Sequence, residues 1–528
     1  MLNNLAQTII SGNTSLGIEL GSTRIKAVLI ADDLSVISSA SSVWSSSMIN
    51  GYWSYTLEQV WDGLREAWAN LCANVKQEYG VELATVGNMG ISAMMHGYLA
   101  FDENDELLTP FRTWQNTSTG EAAKELSELF DFNIPLRWSI AHLYQAILNK
   151  EEHVPKIEHI NTLAGYVHYK LTGNKVLGIG DASGMFPIDS EINDYDKKML
   201  HAFNGISKPG FSKPVESVLP RVLKAGQNAG VLTMEGAKLL DPSGKLQPGI
   251  PMCPPEGDAG TGMVATNAVA PGTGNVSAGT SIFSMIVMQH ALSRRYEQLD
   301  MVTTPAGKPV AMVHCINCTS DLNEWAAVLE QYETLMGHEA VDRGDAFTKL
   351  YKAALKADEG CGGITVCPYK AGEHITGFDE GRPLLVRGKD SRFTIANLMR
   401  AHIYSSFSAL AIGMELLEKE NVELNSITGH GGLFKTEGVA QVFMAAALKC
   451  PVNVMSTASE GGAWGIALLA AYMKEDGMSL EDFLSEKAFG SQEVITEEPT
   501  EENTKDFNIY LERYKKIMAV EAAAIEVL

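Results

Sequence analysis

A carboxylate in a small-residue turn and a glycine-hydroxyl loop follow one another closely near the middle of this chain. Pro255-Glu256-Gly257-Asp258-Ala259-Gly260-Thr261-Gly262 carries the acid, and Gly279-Thr280-Ser281 forms the loop. Phosphoryl transfer needs both. Backbone N–H groups must come close to phosphate oxygens, which glycine permits, and a base must be aimed at the attacking hydroxyl. An Asp after Gly is by itself an ordinary turn former or helix cap. Its place ahead of a phosphate-type loop makes Asp258 the candidate base. A second loop of the same kind, Gly21-Ser22-Thr23, lies 258 residues earlier.

The surrounding elements follow from apolar spacing. Leu16 to Ile30 is two short apolar runs broken by Gly-Ser-Thr and predicts a β-hairpin; Asn275 to Met288 repeats the pattern. An offset of 258 superimposes Gly21-Ser22-Thr23 on Gly279-Thr280-Ser281 and Val28-Leu29-Ile30 on Ile286-Val287-Met288, as expected of two domains with one architecture. Apolar residues at 57, 60, 61, 64, 68, 71 and 75 mark one face of a helix, whose tryptophans are core rather than ligand contacts. Val86 to Met95 reads as a buried strand, leaving His96 at its end.

Further on, residues 395–420 predict a long helix, 426–428 a strand running into Gly429-His430-Gly431-Gly432, and 436–449 a helix. Residues 452–455 predict a strand and 460–473 a small-residue helix. That alternation predicts a mostly parallel sheet covered by helices. Pro-, Gly- and Ser-rich stretches at 209–220 and 241–255 place a domain boundary near 255. The division expected is 1–255, 256–490 and a helical tail, 491–528.

A chain of 528 residues exceeds one core. With 45% apolar and 20% charged residues it is an ordinary globular composition. A net charge of −23 without a basic patch argues against nucleic-acid or anionic-membrane partners. Seven scattered cysteines predict free thiols, and Cys315-Ile316-Asn317-Cys318 alone makes no metal site. Residues 1–15 lack the pattern of a signal peptide and no apolar run approaches ~18 residues, which predicts a soluble cytoplasmic protein.

Together these stations resemble the FGGY family of carbohydrate kinases over nearly the whole chain, the xylulokinases and related ketopentose kinases most of all. The residues that carry the resemblance are Glu19-Leu20-Gly21-Ser22-Thr23-Arg24-Ile25-Lys26, Met94-Met95-His96-Gly97, Thr113-Trp114-Gln115-Asn116, Gly257-Asp258-Ala259, Asn275 to Ser281, and Gly431-Gly432 followed by Gln441 and Glu460-Gly461-Gly462-Ala463. The resemblance implies two ribonuclease-H-like, actin-like ATPase domains with ATP and sugar in the cleft between them. It implies sugar contacts from Met95, His96, Trp114 and Asp258, and ATP contacts from Gly21, Ser22, Thr23, Lys26, Gly279, Thr280, Ser281, Gly431 and Gly432. It further implies Mg²⁺ near Glu19, through water, and Asp258, and makes a homodimer plausible.

The chain departs from the family pattern at three places. Glu19 replaces the usual Asp, Asn116 replaces an acid with no Arg following, and Tyr404-Ser405 replace a Glu-Gly pair. The expected reaction is phosphorylation of the terminal hydroxyl of a ketopentose, D-xylulose foremost, with L-ribulose or another ketose or polyol as alternatives. A sugar- or nucleotide-binding regulator of the same fold is the rival of another class, and an actin- or chaperone-like ATPase without acceptor a third.

Overall fold

The computed structural model describes residues 2–208, 210–339, 342–455 and 461–528. Pro209 and Glu460, at the edges of two stretches read above, lie outside the described residues.

The first sheet is built from β1 (Thr14–Leu20), β2 (Arg24–Ala31), β3 (Val36–Val43), β4 (Asn88–Ala93) and β5 (Glu256–Gly257). Their spatial order is β5-β4-β1-β2-β3. The second contains β6 (Thr273–Ala278), β7 (Ile282–Val287), β8 (Asp300–Thr303), β9 (Pro309–Cys315), β10 (Ser426–His430), β11 (Val452–Met455) and β12 (Val494–Glu497), ordered β8-β9-β7-β6-β10-β11-β12. Removing the edge strands β8 and β12 leaves β9-β7-β6-β10-β11, the order of the first sheet seen from its other end. The pairing directions agree as well: a three-stranded antiparallel meander, then two parallel strands, in both sheets.

The sheets are therefore mixed rather than mostly parallel. Hairpins joined by three- or four-residue turns can only be antiparallel, and helical crossovers serve only the other side of β1 and β6. The repeat also needs adjusting. Leu20 pairs with Ile25 around the first turn, whereas Ala278 pairs with Ile282 around the second, so the second turn is one residue shorter. The offset of 258 holds through β1 and β6 and becomes 257 beyond the turn, so that Lys26 corresponds to Phe283.

Helix α1 (Leu57–Tyr79) starts at Thr56, whose side chain accepts from Gln59 N–H while Gln59 reaches back to Thr56 N–H, and ends at Gly80 with φ 72°. This capping box and left-handed stop fix both ends. Val60, Trp61, Leu64, Trp68, Leu71 and Val75 are buried against the first sheet, as their spacing requires.

Two helices decide where the site lies. Helix α2 (Asp258–Ala265) continues from β5, so the chain directly after residue 255 belongs to the first sheet. Among the later elements, α3 (Ile395–Lys419) and α4 (Ala440–Leu448) belong with the second sheet, but α5 (Gly461–Tyr472) returns to pack on β1, β4 and α2. That close crossing needs a glycine at each contact. A Cβ on Gly17 would lie 2.1 Å from the Ala463 carbonyl, and one on Gly465 would lie 2.0 Å from that of Thr261. The C-terminal helix α6 (Glu501–Val527) packs on α3 and α4, its buried Phe507, Tyr510, Leu511 and Tyr514 facing the core.

Candidate active site

The two hairpin turns are held in one manner. In the first, Trp44 Nε1 donates to the Gly21 carbonyl at 2.7 Å and Tyr55 hydroxyl donates to that of Ser22 at 2.6 Å. Trp44 and Tyr55 stack on each other, ring centres 4.1 Å apart. In the second, Thr319 Oγ1 and N–H donate to the Gly279 carbonyl at 2.8 and 3.2 Å, and Cys318 N–H to that of Thr280 at 3.1 Å. In a trans peptide the C=O and the following N–H point opposite ways. Carbonyls drawn to the rear therefore turn the amides of Ser22, Thr23, Thr280 and Ser281 to the other side, an arrangement suited to anion oxygens.

Acids gather beside the first turn. Glu19, on β1, accepts from Ala463 N–H at the start of α5 at 3.2 Å, and Asp258, first residue of α2, accepts from Met95 N–H at 3.0 Å. Each carboxylate thus sits at a helix N-terminus, where the partial positive charge favours it. Burial and then the charge of Asp258 push Glu19 up to about 7, opposed by the Ala463 amide and by Lys26, its cross-strand partner. Burial also raises Asp258, against the amides of Met95, Ala259 and its own residue.

Two further acids stand nearby, Glu256 and Asp181, neither of which the sequence reading places in the site. Glu256 accepts from the amides of Gly180 and Asp181 at 3.3 and 2.8 Å, and Asp181 accepts from Thr162 Oγ1 at 2.6 Å. Burial lifts Asp181 to about 7 and, with Asp181 beside it, Glu256 to about 8. A Cβ on Gly178 or Gly180 would fall 2.2 or 2.5 Å from the Glu256 carboxylate, so those glycines make its berth. The available signal was an acid two residues before Asp258 and a glycine pair at 178 and 180; only the fold shows that they meet.

On the other side of Met95, His96 is buried with φ 72°, its Nδ1 donating to the Gly184 carbonyl at 3.2 Å and its ring stacked 6.3 Å from that of Trp138. That bond leaves Nε2 as an acceptor. Burial, then the charge of Arg137, holds the ring well below its ordinary range and therefore neutral. Trp114 is 40% exposed and donates from Nε1 to Ser22 Oγ at 3.3 Å, linking it to the first turn.

Asn116, standing where an acid was expected, accepts from Trp53 N–H and donates to the Trp53 carbonyl, both at 2.9 Å. A carboxylate could not make both bonds. The departure at Tyr404-Ser405 also has a packing reason. Buried Tyr404 donates to Asp506 of α6 at 2.8 Å and Arg400 pairs with the same carboxylate at 3.0 Å, while Ser405 bonds within its own helix.

Gly431 has φ 99°, and a Cβ on it would lie 2.5 Å from the Ala278 carbonyl, so Gly431-Gly432 abut the end of β6 next to the second turn. Gln441 is buried at the start of α4. All seven cysteines are free, with Cys315 and Cys318 buried. Among the described residues no group of three or more His, Cys, Asp or Glu could by itself hold a metal ion, and no helix is long and apolar enough to cross a membrane.

The structure thus brings Glu19, Lys26, Met95, His96, Asp258 and, through the first turn, Trp114 into one neighbourhood. Gly279 to Ser281 and Gly431-Gly432 form another, on the second sheet.

The N-terminal domain of the FGGY family of carbohydrate kinases matches residues 14–264 and the C-terminal domain of that family matches residues 274–473. A xylulose kinase of Haemophilus influenzae is 24% identical over 439 residues, covering 81% of this chain and 83% of the relative. One from Staphylococcus xylosus is 20% identical over 511 residues, covering 95% and 99%. Among solved structures, a ligand-bound xylulose kinase from Lactobacillus acidophilus superimposes with a TM-score of 0.78 at 17% identity, over 97% of this chain and 99% of that one. The fold is that of two ribonuclease-H-like domains of the actin-like ATPase type.

Proposed function

The chain belongs to the FGGY family of carbohydrate kinases, and from that premise we propose that it transfers the γ-phosphoryl group of ATP to the terminal hydroxyl of an open-chain ketopentose, D-xylulose foremost. That the chain is a sugar kinase follows from the family; the identity of the sugar is our reading. One observation carries it: Met95 N–H bonds Asp258 Oδ1 at 3.0 Å, so the acid adjoins the Met95-His96 segment. Relatives named xylulose kinase that align with up to 96% of the chain support the choice of sugar.

In this mechanism Asp258 accepts the hydroxyl proton while the sugar oxygen bonds to the γ-phosphorus and the bond to the β,γ-bridging oxygen breaks, releasing ADP. A carboxyl raised by burial is a better base than an exposed one. Neutral His96 offers Nε2 to a sugar hydroxyl, and Trp114 an apolar face. The amides of Ser22, Thr23, Thr280 and Ser281 receive phosphate oxygens, Gly21 and Gly279 let the turns approach, Lys26 adds charge, and Gly431-Gly432 border the adenosine.

The donor set fits Mg²⁺. Burial and then the charge of Asp258 raise Glu19, and nucleotide-bound Mg²⁺ takes one or two protein carboxylates along with water and phosphate. When bound, it neutralises phosphate charge. The domain division we adopt for this reading is 1–255, with Met95, His96, Trp114 and the first turn; 256–490, with Asp258, the second turn and Gly431-Gly432; and a tail, 491–528, which is helical only after its strand β12, with β5 and α2 linking the first two.

A panel of sugars in a coupled ADP-release assay tests the reading. D-xylulose should give the highest kcat/KM. A preference for L-ribulose or a polyol would replace the substrate, ADP release without sugar would favour an ATPase, and no ADP with any sugar would favour a regulator.

A further inference from the structure

The second turn depends on a bracing loop, and that loop depends on a buried acid. Residues 316–319 join β9 to the helix Ser320–Leu335 and belong to neither. Their backbone supplies the Cys318 and Thr319 donors that hold the Gly279 and Thr280 carbonyls.

What fixes them is Glu373, fully buried, whose Oε2 accepts from Ile316 N–H at 2.9 Å, Asn317 N–H at 3.2 Å and Asn317 Nδ2 at 3.3 Å. Asn317 Oδ1 accepts from the amides of Lys370 and Ala371 at 2.9 and 3.2 Å, and its Nδ2 donates to the carbonyls of Ala371 and Gly372, both at 3.2 Å. From the other side Ser406 Oγ donates to the Cys318 carbonyl at 2.9 Å. A single carboxylate oxygen taking three N–H donors makes a stiff joint, because bonds to an ionised or strongly polarised acceptor are short and strong.

We propose that Glu373 and Asn317 are positioning residues for the phosphates of the nucleotide. Acting through loop 316–319, they keep the Gly279 and Thr280 carbonyls to the rear and so keep the amides of Thr280 and Ser281 forward. This rests on reading the second turn as a phosphate cradle.

The test is calorimetric binding of a non-hydrolysable ATP analogue with Mg²⁺ to the full chain, with thermal melting as the control for folding and the sugar KM measured alongside. Glu373→Ala should weaken nucleotide binding about tenfold, as expected when several bonds of a buried network are lost. Thr319→Val, which removes one hydroxyl donor and spares the core, should weaken it about threefold. Glu373→Gln keeps an oxygen for the three donors and should stay within about twofold of the wild type. The sugar KM should hardly move in any of them.

Equal nucleotide affinity in the wild type and in folded Glu373→Ala or Thr319→Val overturns the inference alone. So does a sugar KM that rises as much as the nucleotide Kd. A wild-type chain that binds no nucleotide overturns the phosphate-cradle reading along with it.

Discussion

The first and second turns have one backbone plan and different chemistry. Both are hairpin turns at equivalent places in sheets that share a five-strand order, with carbonyls held from behind. The first is braced by two stacked aromatic side chains, Trp44 and Tyr55, and has Glu19 facing Lys26 across the strands. The second is braced by a loop tied to buried Glu373, and at the matching positions Ser277 faces Phe283. A repeated fold can supply two sets of amides to one nucleotide, but the acids that handle a proton and a cation gather on one side only. α2 and α5 both begin at that side, so each helix N-terminus lends its charge to an acid there.

The comparison can be broken most sharply at the acids. Asp258→Asn should lower kcat by about 10² to 10⁴, the span of a lost general base, with ATP affinity little changed. Near-normal sugar phosphorylation by that variant would remove Asp258 from the role.

Next, Glu19→Gln should raise the Mg²⁺ requirement about 10- to 100-fold, as for a residue that orients a metal through water, whereas Ser277→Ala at the matching place should not. Equal magnesium titrations for both would erase the asymmetry between the turns.

A smaller effect concerns the aromatic brace. Tyr55→Phe removes the donor to the Ser22 carbonyl and should weaken ATP binding roughly 2- to 10-fold, the worth of one such bond; unchanged affinity would show that stacking on Trp44 suffices.

The smallest distinguishes the braces by pH. Burial lifts the Glu373 carboxyl to about 7, above its range in an unfolded chain. The folded state then keeps a proton that the unfolded chain releases first. The group's contribution to stability is therefore full below about pH 4 and falls as pH rises towards 7. Glu373→Gln lacks this term, so its melting temperature should gain on the wild type between about pH 5 and pH 8. Constant separation of the two curves would deny the titration. Tyr55, held above its ordinary range by burial, adds no such slope there.

Much of this was legible locally. The apolar stripe of residues 57–75 gave α1 because helical periodicity is a property of neighbours in sequence, and Thr56 and Gly80 mark its ends. The hairpin signal with Gly-Ser-Thr placed β1, β2, β6 and β7, and Val452–Met455 was found to the residue. The register slip at the second turn was not, because turn length changes pairing without changing the apolar pattern. The mixed sheet was hidden for a related reason: strand composition does not state which neighbour a strand will choose.

By itself the sequence determined the two turns, the acid at 258, the helix stripes and the family that these motifs compose, since each motif is carried by near neighbours in sequence. Only the tertiary structure decided that Glu256 meets Asp181, that Glu19 reaches the start of α5, and that Glu373 supports the second turn. Those contacts join segments separated by up to several hundred residues, and they depend on glycine-faced crossings and buried carboxylates whose cost is offset only by partners that folding assembles.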